Sequence, residues 1–111
     1  MNIVIISGSP RQGSLSHRAA LFLSNHLKKT STHNIHLVSL QEWRLPFIQN
    51  VWTSIDKVPA EFQTVYNIIS GANAFILVTP EYNGGYSSAM KNLLDHFPKQ
   101  YHKPFGIVTC S

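Results

Sequence analysis

The clearest pattern is a set of short, unbroken apolar runs separated by stretches with helical spacing. Ile3 to Ile6 form such a run within residues 2–7. It is β-branched throughout, as expected of a strand buried on both faces. Residues 8–14 then turn through Gly8, Ser9 and Gly13. From Ser16 to Lys29 the apolar positions move to helical spacing: Ala19, Leu23 and Leu27 recur every four residues, with Ala20 beside them. Lys28 and Lys29 suit the negative end of that helix. Residues 34–40 alternate in part and predict a second, more exposed strand. Residues 41–58, with Pro46, Trp43 and Trp52, predict a long loop anchored by its aromatic residues. After Pro59 the stripe Phe62, Val65, Ile69 predicts a second helix ended by Gly71. Residues 74–79 form another doubly apolar strand. Residues 87–97 place Met90, Leu93, Leu94 and Phe97 on one helical face before Pro98. Residues 104–110 complete the pattern as a fourth strand. The order β-α-β-loop-α-β-α-β predicts a doubly wound parallel α/β sheet with helices on both faces.

The chain has 111 residues, 43% of them hydrophobic, so one domain with a real core is expected. Nine Lys and Arg stand against five acids, giving +4. These charges are scattered, which argues against a nucleic-acid stripe and leaves at most an electropositive rim for a phosphorylated ligand. A single cysteine, Cys110, excludes a disulfide framework and a cysteine-ligated cluster. It suits a cytoplasmic setting. The N-terminus lacks a basic signal-type region, and no apolar run approaches the ~20 residues needed to cross a membrane. The histidines lack metal-ligand spacing: His33 and His36 flank a strand start and do not share a face. No metal is expected.

Two loops carry candidate chemistry. Ligands of open parallel sheets sit beyond the carboxyl ends of the strands. The connections 8–16 and 80–87 both follow such ends. The first offers Ser9, Arg11, Ser14 and Ser16 just before a helix, with no acid among them. Free N–H groups at a helix start attract anions, and arginine adds a charged fork. The stretch fits a cradle for one terminal phosphate; it equally fits a serine-rich helix cap with a solvated arginine. It is neither a Walker loop nor a Gly-x-Gly-x-x-Gly turn. The second, Thr-Pro-Glu-Tyr-Asn-Gly-Gly-Tyr, offers backbone amides and the flat faces of Tyr82 and Tyr86. It fits the edge of a planar heterocycle, or a plain turn with surface tyrosines. Together the loops fit a ligand with a phosphate at one end and a flat ring at the other, the shape of FMN. Asp95 and His96 are expected on the rim of the third helix, and Cys110 as a buried strand end.

"GSPRQGS" after the first strand, with "TPEYNGG" and "KNLLDHF" after the third, resembles the NADPH-dependent FMN reductase family across nearly the whole chain. The resemblance implies a flavodoxin-like fold, non-covalent FMN, NADPH or NADH as reductant, and a homodimer or homotetramer. It assigns Ser9, Arg11, Ser14 and Ser16 to the phosphate and Pro80, Glu81, Tyr82, Asn83 and Gly84 to the isoalloxazine. Cys110 and Ser111 fall where relatives carry a third flavin-touching loop. No side chain is expected to act as an acid or base. The implied activity is hydride transfer from nicotinamide to FMN and onward to a quinone, azo compound or flavin. A non-enzymatic electron carrier, or a module that no longer binds FMN, are the competing readings. Ser87-Ser88 replaces the Pro-Gly common in relatives. The expected strand order is 2-1-3-4, with the family's fifth strand and last helices absent from these 111 residues. That absence predicts a domain incomplete at its C-terminus, or a sheet completed by another chain.

Overall fold

The computed structural model describes residues 1–80 and 87–110. Its elements run β1 (Asn2–Ser7), α1 (Leu15–Thr30), β2 (Asn34–Ser39), α2 (Gln63–Ser70), β3 (Ala74–Pro80), α3 (Ser88–Asp95) and β4 (Phe105–Cys110). The strands form one parallel sheet in the order β2-β1-β3-β4. This is the expected doubly wound order. All four strands therefore end at one rim.

The period-two alternation of β1 divides the core between two faces. Val4 and Ile6 point to a large cluster with Val65, Ile69, Met90 and Leu93 from α2 and α3. Ile5 points the other way, to a smaller cluster with Ala20, Ile35 and Val78, covered by α1. The buried side of α1 is formed by Ser16, Ala20 and Ser24, with Leu23 and Leu27 half-buried beside them. Phe22, by contrast, stands exposed on the outer side.

The irregular stretch after β2 contributes as much to the core as a helix would. Trp52 is 5% exposed, stacks on Phe62 at 5.8 Å and meets the tilted His96 ring at 4.6 Å. Its backbone N–H donates to the His96 carbonyl at 2.7 Å. His96 is thus a buried cap of α3, 2% exposed, not a rim residue. The reason is tertiary: Trp52 covers the helix end, and His96 Nδ1 lies 2.7 Å from the Asn92 carbonyl oxygen. Asp95 does take the surface position, in an ion pair with Lys91.

The second helix begins later than Pro59. A 3-10 turn, Ala60–Phe62, precedes α2. Gly71 stands at the C-cap with φ −84, so no left-handed cap is formed there. Helix α3 likewise closes two residues early, through His96 N–H to the Leu93 carbonyl and Phe97 N–H to the Leu94 carbonyl.

β4 is the edge strand of the described sheet, and Phe105, Ile107 and Val108 are exposed along it. An apolar groove of about 320 Å³ runs beside it, lined by Ile69, Phe75, Leu93, Phe97, Phe105 and Ile107. Burial lowers the Lys103 pKa at its lip. Lys103 Nζ also lies 5.7 Å over the Phe75 ring. The groove follows the starts and middles of β3 and β4, away from the rim where the strands end.

Removing the ring that ties the irregular stretch to α2 and α3 leaves a large void. Trp52→Ala is expected to cost about 3–5 kcal/mol of stability. Urea unfolding checks this; a change under 1 kcal/mol would mean that the segment merely rests on the surface.

Candidate phosphate and flavin site

The rim is assembled by the turn that leaves β1. Gly8 N–H donates to the Val78 carbonyl at 2.8 Å, continuing the β1–β3 ladder one residue past the strand. A Cβ on Gly8 would stand 3.2 Å from that carbonyl oxygen and 2.6 Å from Met90 Cε. Close approach to the Val78 backbone therefore favours glycine at this position. Gly13, at φ +68, takes the left-handed conformation that lets the chain re-enter α1.

Ser14 caps α1. Its Oγ accepts the His17 N–H at 3.1 Å, and its carbonyl accepts the Arg18 N–H. Among the described residues, the N–H groups of Leu15 and Ser16 have no protein acceptor. These are orphan donors at the positive end of a 16-residue helix. Ser16 is 2% exposed, with its Oγ 3.4 Å from Ser14 Oγ. Ser9 is fully buried and its Oγ accepts the Arg11 N–H at 3.3 Å. The helix-cap reading of Ser14 is thus realised; Ser9 still has an O–H to donate, and so does one hydroxyl of the Ser14–Ser16 pair. Arg11 is exposed, and among the described residues its guanidinium has no carboxylate partner. Unpaired amides, hydroxyls and an exposed cation, with no carboxylate partner for it among the described residues, make a donor set that fits a phosphate.

The second loop starts at the same rim. Pro80 ends β3, buried, and its Cα partner in β4 is Cys110. Cys110 is half-buried and free, less enclosed than expected. Glu81, Tyr82, Asn83, Gly84 and Ser111 lie outside the described residues, as do Gly85 and Tyr86. Where the chain resumes, Ser87 is the N-cap of α3: its Oγ accepts the Met90 N–H at 3.1 Å. The same hydroxyl donates to the Gly8 carbonyl at 2.6 Å. Ser87 therefore bolts the exit of the second loop to the first.

Several supporting residues have no signal of their own in the sequence. His17 Nδ1 lies 3.0 Å from Ser7 Oγ and 3.4 Å from Ser39 Oγ, joining the ends of β1 and β2 to the start of α1. Asn92 accepts the Ile48 N–H at 3.1 Å and donates to the Pro46 carbonyl at 2.8 Å, holding the segment after β2 against α3. Between that segment and the first loop lies a pocket of about 220 Å³, lined by Pro10, Trp43, Arg44, Phe47 and Ala89 among others. Only the helix-cap spacing at Ser87 could have been read in advance; the other contacts join distant parts of the chain.

A model of the family described as NADPH-dependent FMN reductase matches residues 1–111. The chain belongs to this family. An NAD(P)H-dependent FMN reductase of Schizosaccharomyces pombe is 32% identical over 112 residues, covering 96% of this chain and 56% of that protein. An FMN-dependent NADPH-azoreductase of Staphylococcus aureus is 32% identical over 114 residues, covering 97% and 59%. The chain thus spans little more than half the length of these relatives. Among solved structures, an NADH:FMN oxidoreductase in its apo form superposes with TM-score 0.75 at 22% identity, over 94% of this chain and 55% of that one. A flavoenzyme NAD(P)H:(acceptor) oxidoreductase from Paracoccus denitrificans gives TM-score 0.74 at 23% identity, over 99% and 60%. At those identities the structures establish a shared fold. That fold is the flavodoxin-like sheet found in this FMN reductase family member.

The Ser87 bridge generates a direct prediction. Ser87→Ala removes a helix cap and leaves the buried Gly8 carbonyl without its hydroxyl donor, so a loss of about 1–2 kcal/mol is expected. Chemical denaturation measures it. An unchanged midpoint would separate the two loops.

Proposed function

We propose that the chain forms the cofactor-holding part of an FMN-dependent NAD(P)H oxidoreductase. The observation that carries this is the acid-free cradle between β1 and α1, at the rim where the family's cofactor is expected. Bound FMN would supply the hydride chemistry, accepting two electrons from NADPH or NADH and passing them to a quinone, azo compound or flavin.

The work of this chain's residues is binding and orientation. The N–H groups of Leu15 and Ser16, the hydroxyls of Ser9, Ser14 and Ser16, and Arg11 hold the phosphate. Pro80 and Cys110, paired at the ends of β3 and β4, border the ring. Glu81, Tyr82, Asn83, Gly84 and Ser111 are assigned to the ring as well, on family grounds. No side chain is given a proton to move. The names of the relatives support an electron acceptor of azo or flavin type. The same reading places the protein in the cytoplasm, in keeping with its free cysteine, and takes the active form to be a homodimer or homotetramer.

Arg11→Ala is expected to weaken FMN by about 1.5–3 kcal/mol, the range of a hydrogen bond to a charged group, and to leave riboflavin binding unchanged. Titration of flavin fluorescence reads both ligands. Equal affinity of variant and parent for FMN would remove Arg11 from the site. Addition of NADPH to the flavin-loaded protein should bleach the yellow colour, and an acceptor should restore it. A flavin that binds but stays oxidised would favour the electron-carrier reading.

A further inference from the structure

The turn after β2 grips the phosphate loop at two successive carbonyls. Gln41 Nε2 donates to the Arg11 carbonyl at 2.7 Å. One arginine nitrogen of Arg44 donates to the Pro10 carbonyl at 3.1 Å. Both side chains spring from a turn that is itself fixed. Gln41 N–H donates to Ser39 Oγ at 3.2 Å, and the Glu42 and Trp43 N–H groups donate to the Ser39 carbonyl. Leu40 N–H donates to the Ser7 carbonyl at 3.0 Å, so the turn is tied to the end of β1 as well.

The consequence follows from peptide geometry. No peptide bond of the described chain is cis. In a trans unit the N–H points opposite to the C=O. Holding the Pro10 carbonyl toward Arg44 sends the Arg11 N–H the other way, where Ser9 Oγ receives it at 3.3 Å. Holding the Arg11 carbonyl toward Gln41 likewise turns the Gln12 N–H away from residues 41–44. Both carbonyl oxygens are thereby engaged outside the loop. An anion site needs this: donors must face the ligand, and a carbonyl rotated inward would repel a phosphate.

We infer that Gln41 and Arg44 are positioning residues that preset the phosphate loop and so determine the preference for a 5′-phosphorylated flavin over riboflavin. The inference rests on the reading of that loop as a phosphate site. Each acts through a loop carbonyl. Gln41 isolates the effect, because its replacement changes no charge.

The test is a fluorescence titration of the full chain with FMN and, separately, with riboflavin. Gln41→Ala is expected to weaken FMN on the order of 10-fold and riboflavin less than about 2-fold. The FMN loss should persist at high salt, since no ion is removed. Gln41→Met, which keeps the side chain's length without its donor, should behave alike and serves if the alanine variant folds poorly. Arg44→Lys, a cation with different reach and geometry, should lose part of the FMN preference at unchanged charge. An equal loss for both flavins, or no loss for either, overturns the positioning role while leaving the phosphate site standing. A parent chain with no preference for FMN over riboflavin overturns the phosphate site and this inference together.

Discussion

One short relay of hydrogen bonds organises the rim: the Val78 carbonyl takes the Gly8 amide, and the Gly8 carbonyl takes the Ser87 hydroxyl. It joins the end of β1, the end of β3 and the start of α3 within two residues. Both loops that could meet a ligand leave from this joint. The joint in turn depends on a glycine, because any side chain at position 8 would crowd the Val78 backbone and Met90. Parallel pairing brings the strand ends together; the relay fixes Gly8 and Ser87 against each other.

Around that joint, the segment between β1 and α1 is held from three sides. Ser14 and the first turn of α1 hold its exit. His17 joins α1 to Ser7 and Ser39 at the ends of β1 and β2. Gln41 and Arg44 grip its carbonyls from the turn after β2. Little of this adds stability by area burial. Its effect is preorganisation, which lowers the ordering cost that a ligand must otherwise meet. The segment that carries Gln41 and Arg44 is fastened to α3 by Asn92 and buried in the core through Trp52. A stretch without regular secondary structure thus ties the segment between β1 and α1 to helix α3.

The sequence made the strands, their parallel pairing and the rim legible, because doubly apolar runs and four-residue spacing come from burial; the order β2-β1-β3-β4 came only with the family resemblance. Ser14 and Ser87 were readable as helix starts for a local reason: each stands just before an apolar helical stripe. His96 was misplaced on the rim, since nothing near it in the chain announces Trp52 as its cover. Gln41, Arg44, His17 and Asn92 carried no local pattern. Their partners are carbonyls and hydroxyls brought close only by the fold, and such contacts leave no period in a sequence. The ring-side residues Glu81 to Gly84 rest on family resemblance and lie outside the described residues.

The site as a whole stands or falls on whether the segment between β1 and α1 receives a phosphate. Two-dimensional amide NMR of the isotopically labelled chain during addition of FMN tests it most directly. The largest shifts are expected at the backbone amides of Gln12 to Ser16, with inorganic phosphate moving the same signals at higher concentration. Shifts confined to the apolar groove beside β4, with the amides of Gln12 to Ser16 unmoved, would contradict it.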